Sequence, residues 1–172
     1  EAIELMNRNP SKSYQYGTTC HVLSSVYLEL GDMKNSIHYA KISMEIMDSL
    51  QQPDNVLRPL INLANAYLSI RDISNAQFYA ERLLNGAKKR NAKLFISEGY
   101  RILSAISELK GTHAQSLDFY KLYKIYNDSI FEINRERNIT NMEAMAALSK
   151  HELEIKFETR QKTLENELLK NQ

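Results

Sequence analysis

Tryptophan is absent from this 172-residue chain, and cysteine, proline and glycine are scarce at one, three and five residues. The single thiol, Cys20, excludes an internal disulfide. So few prolines and glycines leave few places where a helix must break, and neither type occurs after Gly111. No apolar run approaches the roughly 18 residues of a membrane span, and no signal peptide is visible. With a net charge of +1 and 25% charged residues, nothing electrostatic calls for nucleic acid or a membrane surface as partner. The sequence also lacks HExxH, GxSxG, a glycine-rich phosphate loop and CxxC. The four histidines, His21, His38, His113 and His151, lie at least 17 residues apart, with no carboxylate or cysteine at ligand spacing. No catalytic residue, metal site or cofactor is therefore expected, and the chain does not read as an enzyme. One basic cluster, Lys88-Lys89-Arg90 with Lys93, has no interleaved aromatics and suits the carbonyl end of a helix better than a phosphate backbone.

What is present is repetition. The stretch from Cys20 to Ser43 recurs after forty residues as Leu60 to Leu83, and again as Tyr100 to Tyr123. The columns keep one size class: Leu23, Leu63, Leu103; Ser24, Ala64, Ser104; Ser36, Ala76, Ser116; Tyr39, Tyr79, Phe119. In each copy a helix-period run ends in a short polar turn, Gly31-Asp32, Arg71-Asp72 or Gly111-Thr112, and a second helical run follows. Two helices joined by a tight turn approach closely only where facing side chains are small, with large apolar residues filling the space on either side. The unit is a helical hairpin, and three such units are about the number needed to bury a continuous core.

The positions Leu23-Ser24, Tyr27, Gly31-Asp32, Ser36 and Tyr39, with Leu63-Ala64, Tyr67 and Ala76, resemble the tetratricopeptide repeat (TPR). The third copy departs from the pattern, with Ser107 where a tyrosine is due. The period of forty also departs from the usual 34 or so, which lengthens the helices by about one and a half turns. The resemblance implies an all-α, TPR-like solenoid of three helical hairpins followed by a long C-terminal helix. Residues 1–12 read as the end of a truncated preceding repeat, 13–128 as the three hairpins, and 129–172 as a capping and extension helix. Pro53 breaks the chain between the first two units, Gly86 weakens the long helix around it, and Asn91 opens the third unit. Asn127-Asp128-Ser129 offers an N-cap for the last helix, with Glu132 completing a capping box. The chain starts at Glu1 and stops in mid-pattern at Gln172, as an excerpt of a longer protein would.

In the resembling family the first helix of each hairpin lines a groove that takes an extended peptide or a partner helix. By register this gives His21, Ser25, Asn62 and a ladder of donors, Arg58, Asn65 and Arg101, suited to peptide carbonyls or a carboxylate. Of the positions that chaperone-binding members use as a carboxylate clamp, Asn62 alone matches. His21, Ser25, Glu98 and Ile102 hold the others, which disfavours a chaperone-tail adaptor. The tail, with Tyr-Asn-Asp-Ser-Ile-Phe at 126–131, Phe157-Glu158-Thr159 and the run Leu164 to Leu168, resembles the sensor segment of Bacteroidetes membrane-anchored transcriptional regulators and histidine kinases. That resemblance implies a periplasmic sensor for signal transduction or transcription regulation. A cytoplasmic receptor for signalling peptides, or a general interaction scaffold, is the alternative. Leu153, Phe157, Leu164 and Leu168 form a narrow stripe fit for dimerisation with a second chain, in steps of 4, 7 and 4 that depart from a strict heptad.

Overall fold

The structure, a computed structural model, describes residues 10–52 and 55–170, with side chains at 13–52, 55–162 and 166. The expected end of a preceding repeat falls largely outside the described residues. Six helices follow one another with no strand among the described residues: α1 Pro10–Glu29, α2 Met33–Ser49, α3 Leu57–Ser69, α4 Ile73–Lys89, α5 Lys93–Leu109 and α6 His113–Lys170. The chain forms two compact units, one reaching Asp128 and one beginning at Ser129.

The helices of the first unit end in step. Gly31, Gln51, Arg71, Asn91 and Gly111 all have positive φ, between 51° and 79°, and they stand twenty residues apart. At each, the next amide reaches back five residues: Asp32 N–H to Tyr27 O, Gln52 to Met47, Asp72 to Tyr67, Ala92 to Ala87 and Thr112 to Ser107, at 2.9–3.0 Å. This is the Schellman closure, which satisfies carbonyls that the helix end leaves open. The turns within hairpins add a side-chain cap, since the Asp32 and Asp72 carboxylates accept from the Asn35 and Asn75 amides at 3.1 Å. Those backbone and side-chain hydrogen bonds hold both carboxyls below their usual value. The turn at Asn91 has no such cap, as Ala92 takes the place of the aspartate.

Within each hairpin the small columns meet. Ser24 Oγ donates to Ser36 O at 2.9 Å, and Ser104 and Ser116 donate to each other's carbonyls at 2.9 and 3.0 Å. Between them, Ala64 and Ala76 make the same approach with no polar atom, both fully buried. Tyr27 stacks on Tyr39 and Tyr67 on Tyr79, each pair with ring centroids 5.5 Å apart. In the third hairpin, Ser107 offers no ring. Tyr100, about two helical turns before it, packs instead on Phe119 and Tyr126 at 6.1 and 5.9 Å. Leu60, Leu63, Leu83, Ile96, Ile102 and Ile106 fill the centre with no solvent exposure to speak of.

Two sequence expectations change here. The helix α4 runs through Gly86 to Lys89 instead of ending early there. A Cβ at Gly86 would lie 2.9 Å from Leu57 Cδ2, so the glycine serves the approach of α3 and does not stop α4. Likewise no helix starts at Asn127-Asp128-Ser129, because α6 is helical from His113 onward. A cap residue acts only where the backbone leaves the helix, and with no Gly or Pro nearby it does not leave. Asp128 pairs instead with Lys124 one turn back, at 3.2 Å.

Substituting Ala64 with Leu should therefore overpack the α3–α4 contact and lower stability by about 1–3 kcal/mol in chemical denaturation. Ser69→Leu, at an exposed position near the end of α3, should change it by less than about 0.5 kcal/mol. Equal losses would mean that the forty-residue register places these side chains wrongly.

Candidate partner-binding site

The backbones of α1 and α3, and those of α3 and α5, come close to one another, whereas those of α2 and α4 do not. Successive first helices therefore lie beside one another, and they carry His21, Ser25, Arg58, Asn62, Asn65 and Arg101. The structure gives these residues different work. Asn62 is buried, with its amide nitrogen 3.0 Å from Ser25 Oγ, 3.1 Å from Ser24 Oγ, and 3.4 Å from both His21 O and His21 Nδ1. Its two N–H groups are used up in tying α3 to α1, so it offers no free donor to a partner. Ser25 is half-buried and donates to His21 O at 3.3 Å.

His21 is half-buried. Burial first, and the positive charge of Arg58 second, push its imidazole below the ordinary value, so it is neutral near pH 7. The Asn62 amide nitrogen lies 3.4 Å from Nδ1, farther than from the serine oxygens at 3.0 and 3.1 Å that take its two N–H groups.

Further along, Arg101 Nε donates to Glu98 Oε2 at 2.9 Å and Nη2 to Asn65 Oδ1 at 3.2 Å. Two of its five N–H groups are held within the protein and three remain. Asn65 and Arg101 thus form one half-buried pair across α3 and α5, while Arg58 stands exposed at the start of α3.

Beside Arg58 a cleft of about 320 Å³ opens between α1, α2 and the start of α3, lined by Thr18, His21, Ser43, Met47, Asn55 and Arg58 among others. The reading of first helices missed Ser43 and Asn55, which belong to α2 and to the connection after it. The forty-residue columns hold the signal, for Ser43 stands where the next unit has Leu83 and Asn55 where it has Phe95.

In the second unit, Leu153 and Phe157 are 64% and 63% exposed. Leu164 and Leu168 lie in α6, but their side chains fall outside the described residues. No group of three or more His, Cys, Asp or Glu among the described residues could hold a metal ion. No described helix is long and apolar enough to cross a membrane.

No protein-family model matches the chain, and no curated protein matches it. Among solved structures, the crystal structure of the TPR domain of Arabidopsis FLU is similar, with a TM-score of 0.64 and 17% identity. The match covers 68% of this chain and 98% of that one. At that identity the likeness shows the fold: an all-α solenoid of TPR-like helical hairpins.

Asn62→Ala removes both donors and leaves the Ser24 and Ser25 oxygens without their cross-helix partner. A loss of about 1–3 kcal/mol is expected in urea denaturation. Asn65→Ala, at a wetter position, should cost less; if the order is reversed, the polar tie between α1 and α3 is not where the stability lies.

Proposed function

We propose that this chain is a non-catalytic protein- or peptide-binding module, the sensor part of a bacterial signalling or transcriptional regulator. In this reading the hairpins at 13–128 capture an extended peptide along their first helices. The part of α6 from 129 onward passes the signal on as a dimerisation element. The observation that carries the binding half is the Glu98–Arg101–Asn65 arrangement. A guanidinium fixed from two sides, with three donors left over, is pre-organised for peptide carbonyls or a carboxylate, and little side-chain entropy is lost on binding.

The dimerisation half is supported by spacing. Phe131, Met142 and Leu153 recur every eleven residues and are 65%, 70% and 64% exposed, and Leu164 continues the series in sequence. Ala146, Phe157 and Leu168 form a parallel series four residues later. The steps of 4, 7 and 4 are thus a segment of an eleven-residue repeat, which favours a right-handed supercoil over the left-handed heptad form. A long helix with an unpartnered apolar stripe gains most of its stability from whatever covers that stripe. A second copy has the same stripe in the same register, and the sensor role and periplasmic setting come from the tail's resemblance to membrane-anchored regulators.

Peptides selected from a displayed library of random twelve-residue sequences provide the probe for the groove. Arg58→Ala and Arg101→Ala should each weaken the selected peptides about tenfold, with melting temperature little changed. Unaltered affinity in both would move the site off the first helices. Light scattering should find the full chain dimeric and the Leu153→Glu/Phe157→Glu double variant monomeric. A full chain that stays monomeric at high micromolar concentration rules out the paired helix.

A further inference from the structure

The forty-residue register allows the two junctions between units to be compared position by position. At the junction of α3, α4 and α5 the wall residues are Ile61, Leu83, Phe95 and Glu98. At the junction of α1, α2 and α3 the same positions hold His21, Ser43, Asn55 and Arg58. Three apolar side chains have become hydrogen-bonding ones, and a carboxylate has become a guanidinium. The small Ser43 in place of Leu83 leaves the cleft of about 320 Å³ that these residues line.

Packing does not explain the exchange. Ser43 is fully buried, and its hydroxyl has no hydrogen-bond partner. A buried orphan hydroxyl is destabilising unless something completes it. Among the described residues that line the cleft, none is a carboxylate that would neutralise Arg58. His21 adds its imidazole ring to the same lining. The opposite case is the larger cleft of about 460 Å³ beside Phe78, where the charges answer each other: Arg82 pairs with Asp48 at 2.8 Å and Arg90 donates to Gly86 O at 2.7 Å.

We infer that the cleft between α1, α2 and the start of α3 is a binding site for a carboxylate with a short apolar body, bound by Arg58, His21, Ser43 and Asn55, with Met47 and Val22 as its apolar wall. One guanidinium and neutral donors match a single negative charge; a phosphate dianion would be left half-neutralised in a partly buried site. The volume admits a small acid or the last residue of a peptide and little more. Arg58, Ser43 and Asn55 stand outside the positions of the chaperone-tail clamp. The site shares Arg58 and His21 with the proposed groove and rests on that reading in nothing else.

The test is a titration of the isotope-labelled full chain, followed by NMR at the His21 ring, the Arg58 Nε–H and the Ser43 amide. Isovalerate represents a free small acid, N-acetyl-Gly-Leu a peptide terminus, and N-acetyl-Gly-Leu amide the same body without charge. At least one carboxylate should saturate the three signals, with the amide about tenfold weaker or worse. Saturation by isovalerate assigns the site to free acids, and saturation by the dipeptide alone assigns it to chain termini. Ser43→Leu, the residue of the next unit, should fill the cleft, keep or raise the melting temperature and abolish the titration. Arg58→Gln should weaken it about tenfold, while Arg101→Ala leaves it unchanged. The inference is overturned if no carboxylate saturates by about 20 mM, if the amide binds equally, or if Ser43→Leu binds as well as the parent. Should selected peptides depend on Arg101 while no carboxylate saturates the cleft, the groove stands and this site falls. Carboxylate saturation without any peptide binder upholds this site and removes the groove.

Discussion

One residue in the left-handed region closes each of the helices α1 to α5, and the rest of the geometry depends on those five closures. Because they fall twenty residues apart, each helix leaves its turn at the same rotational phase as the one before. Side chains forty residues apart therefore face the same way, which is what puts Ser24, Ala64 and Ser104 at equivalent contacts. Only Gly31 and Gly111 adopt the left-handed conformation at no steric cost. Gln51 and Arg71 adopt it against a preference of about 1–2 kcal/mol, and Asn91, a residue type that visits this region readily, at less. Packing on both sides of the turn holds them there: the closures are set by the core as much as by the residue at the bend.

This explains which parts of the fold were legible in the sequence. The small and aromatic columns could be read because a tight helix pair tolerates few residue types at its contact. The turns at Gly31, Arg71 and Gly111 could be read because polar residues mark them. Asn91 could be read as the start of the third unit, though Ala92 gives it no cap, and Gly86 suggested a weak point five residues before it. A glycine speaks equally of flexibility and of close approach, and only the position of Leu57 separates the two. The missing tyrosine at Ser107 was visible as a gap. Its replacement was not, because Tyr100 fills the space from a different column.

The candidate site was legible in outline and not in detail. Register put Arg58, Asn65 and Arg101 on successive first helices, but register cannot tell a donor that waits for a partner from one already engaged. Asn62 illustrates the difference, with its amide buried against four acceptors of α1. Comparing the units for differences instead of likenesses exposes Ser43 and Asn55, which a search for the repeat's consensus passes over.

The contacts at the centre of the three hairpins bear on how the array opens. The outer two are latched by serine hydroxyls donating across the helix pair, and the middle one meets through the bare methyls of Ala64 and Ala76. An outer hairpin, which shares fewer junctions, thus has its own latch against fraying. The middle hairpin has none and relies on its two neighbours for closure. In a chain of units coupled only to those beside them, that distribution suppresses opening at the ends and leaves the centre to its apolar contacts and its two neighbours. Amide protons across α1 to α5 should accordingly exchange with solvent through one shared opening, not in a gradient from the outside inward.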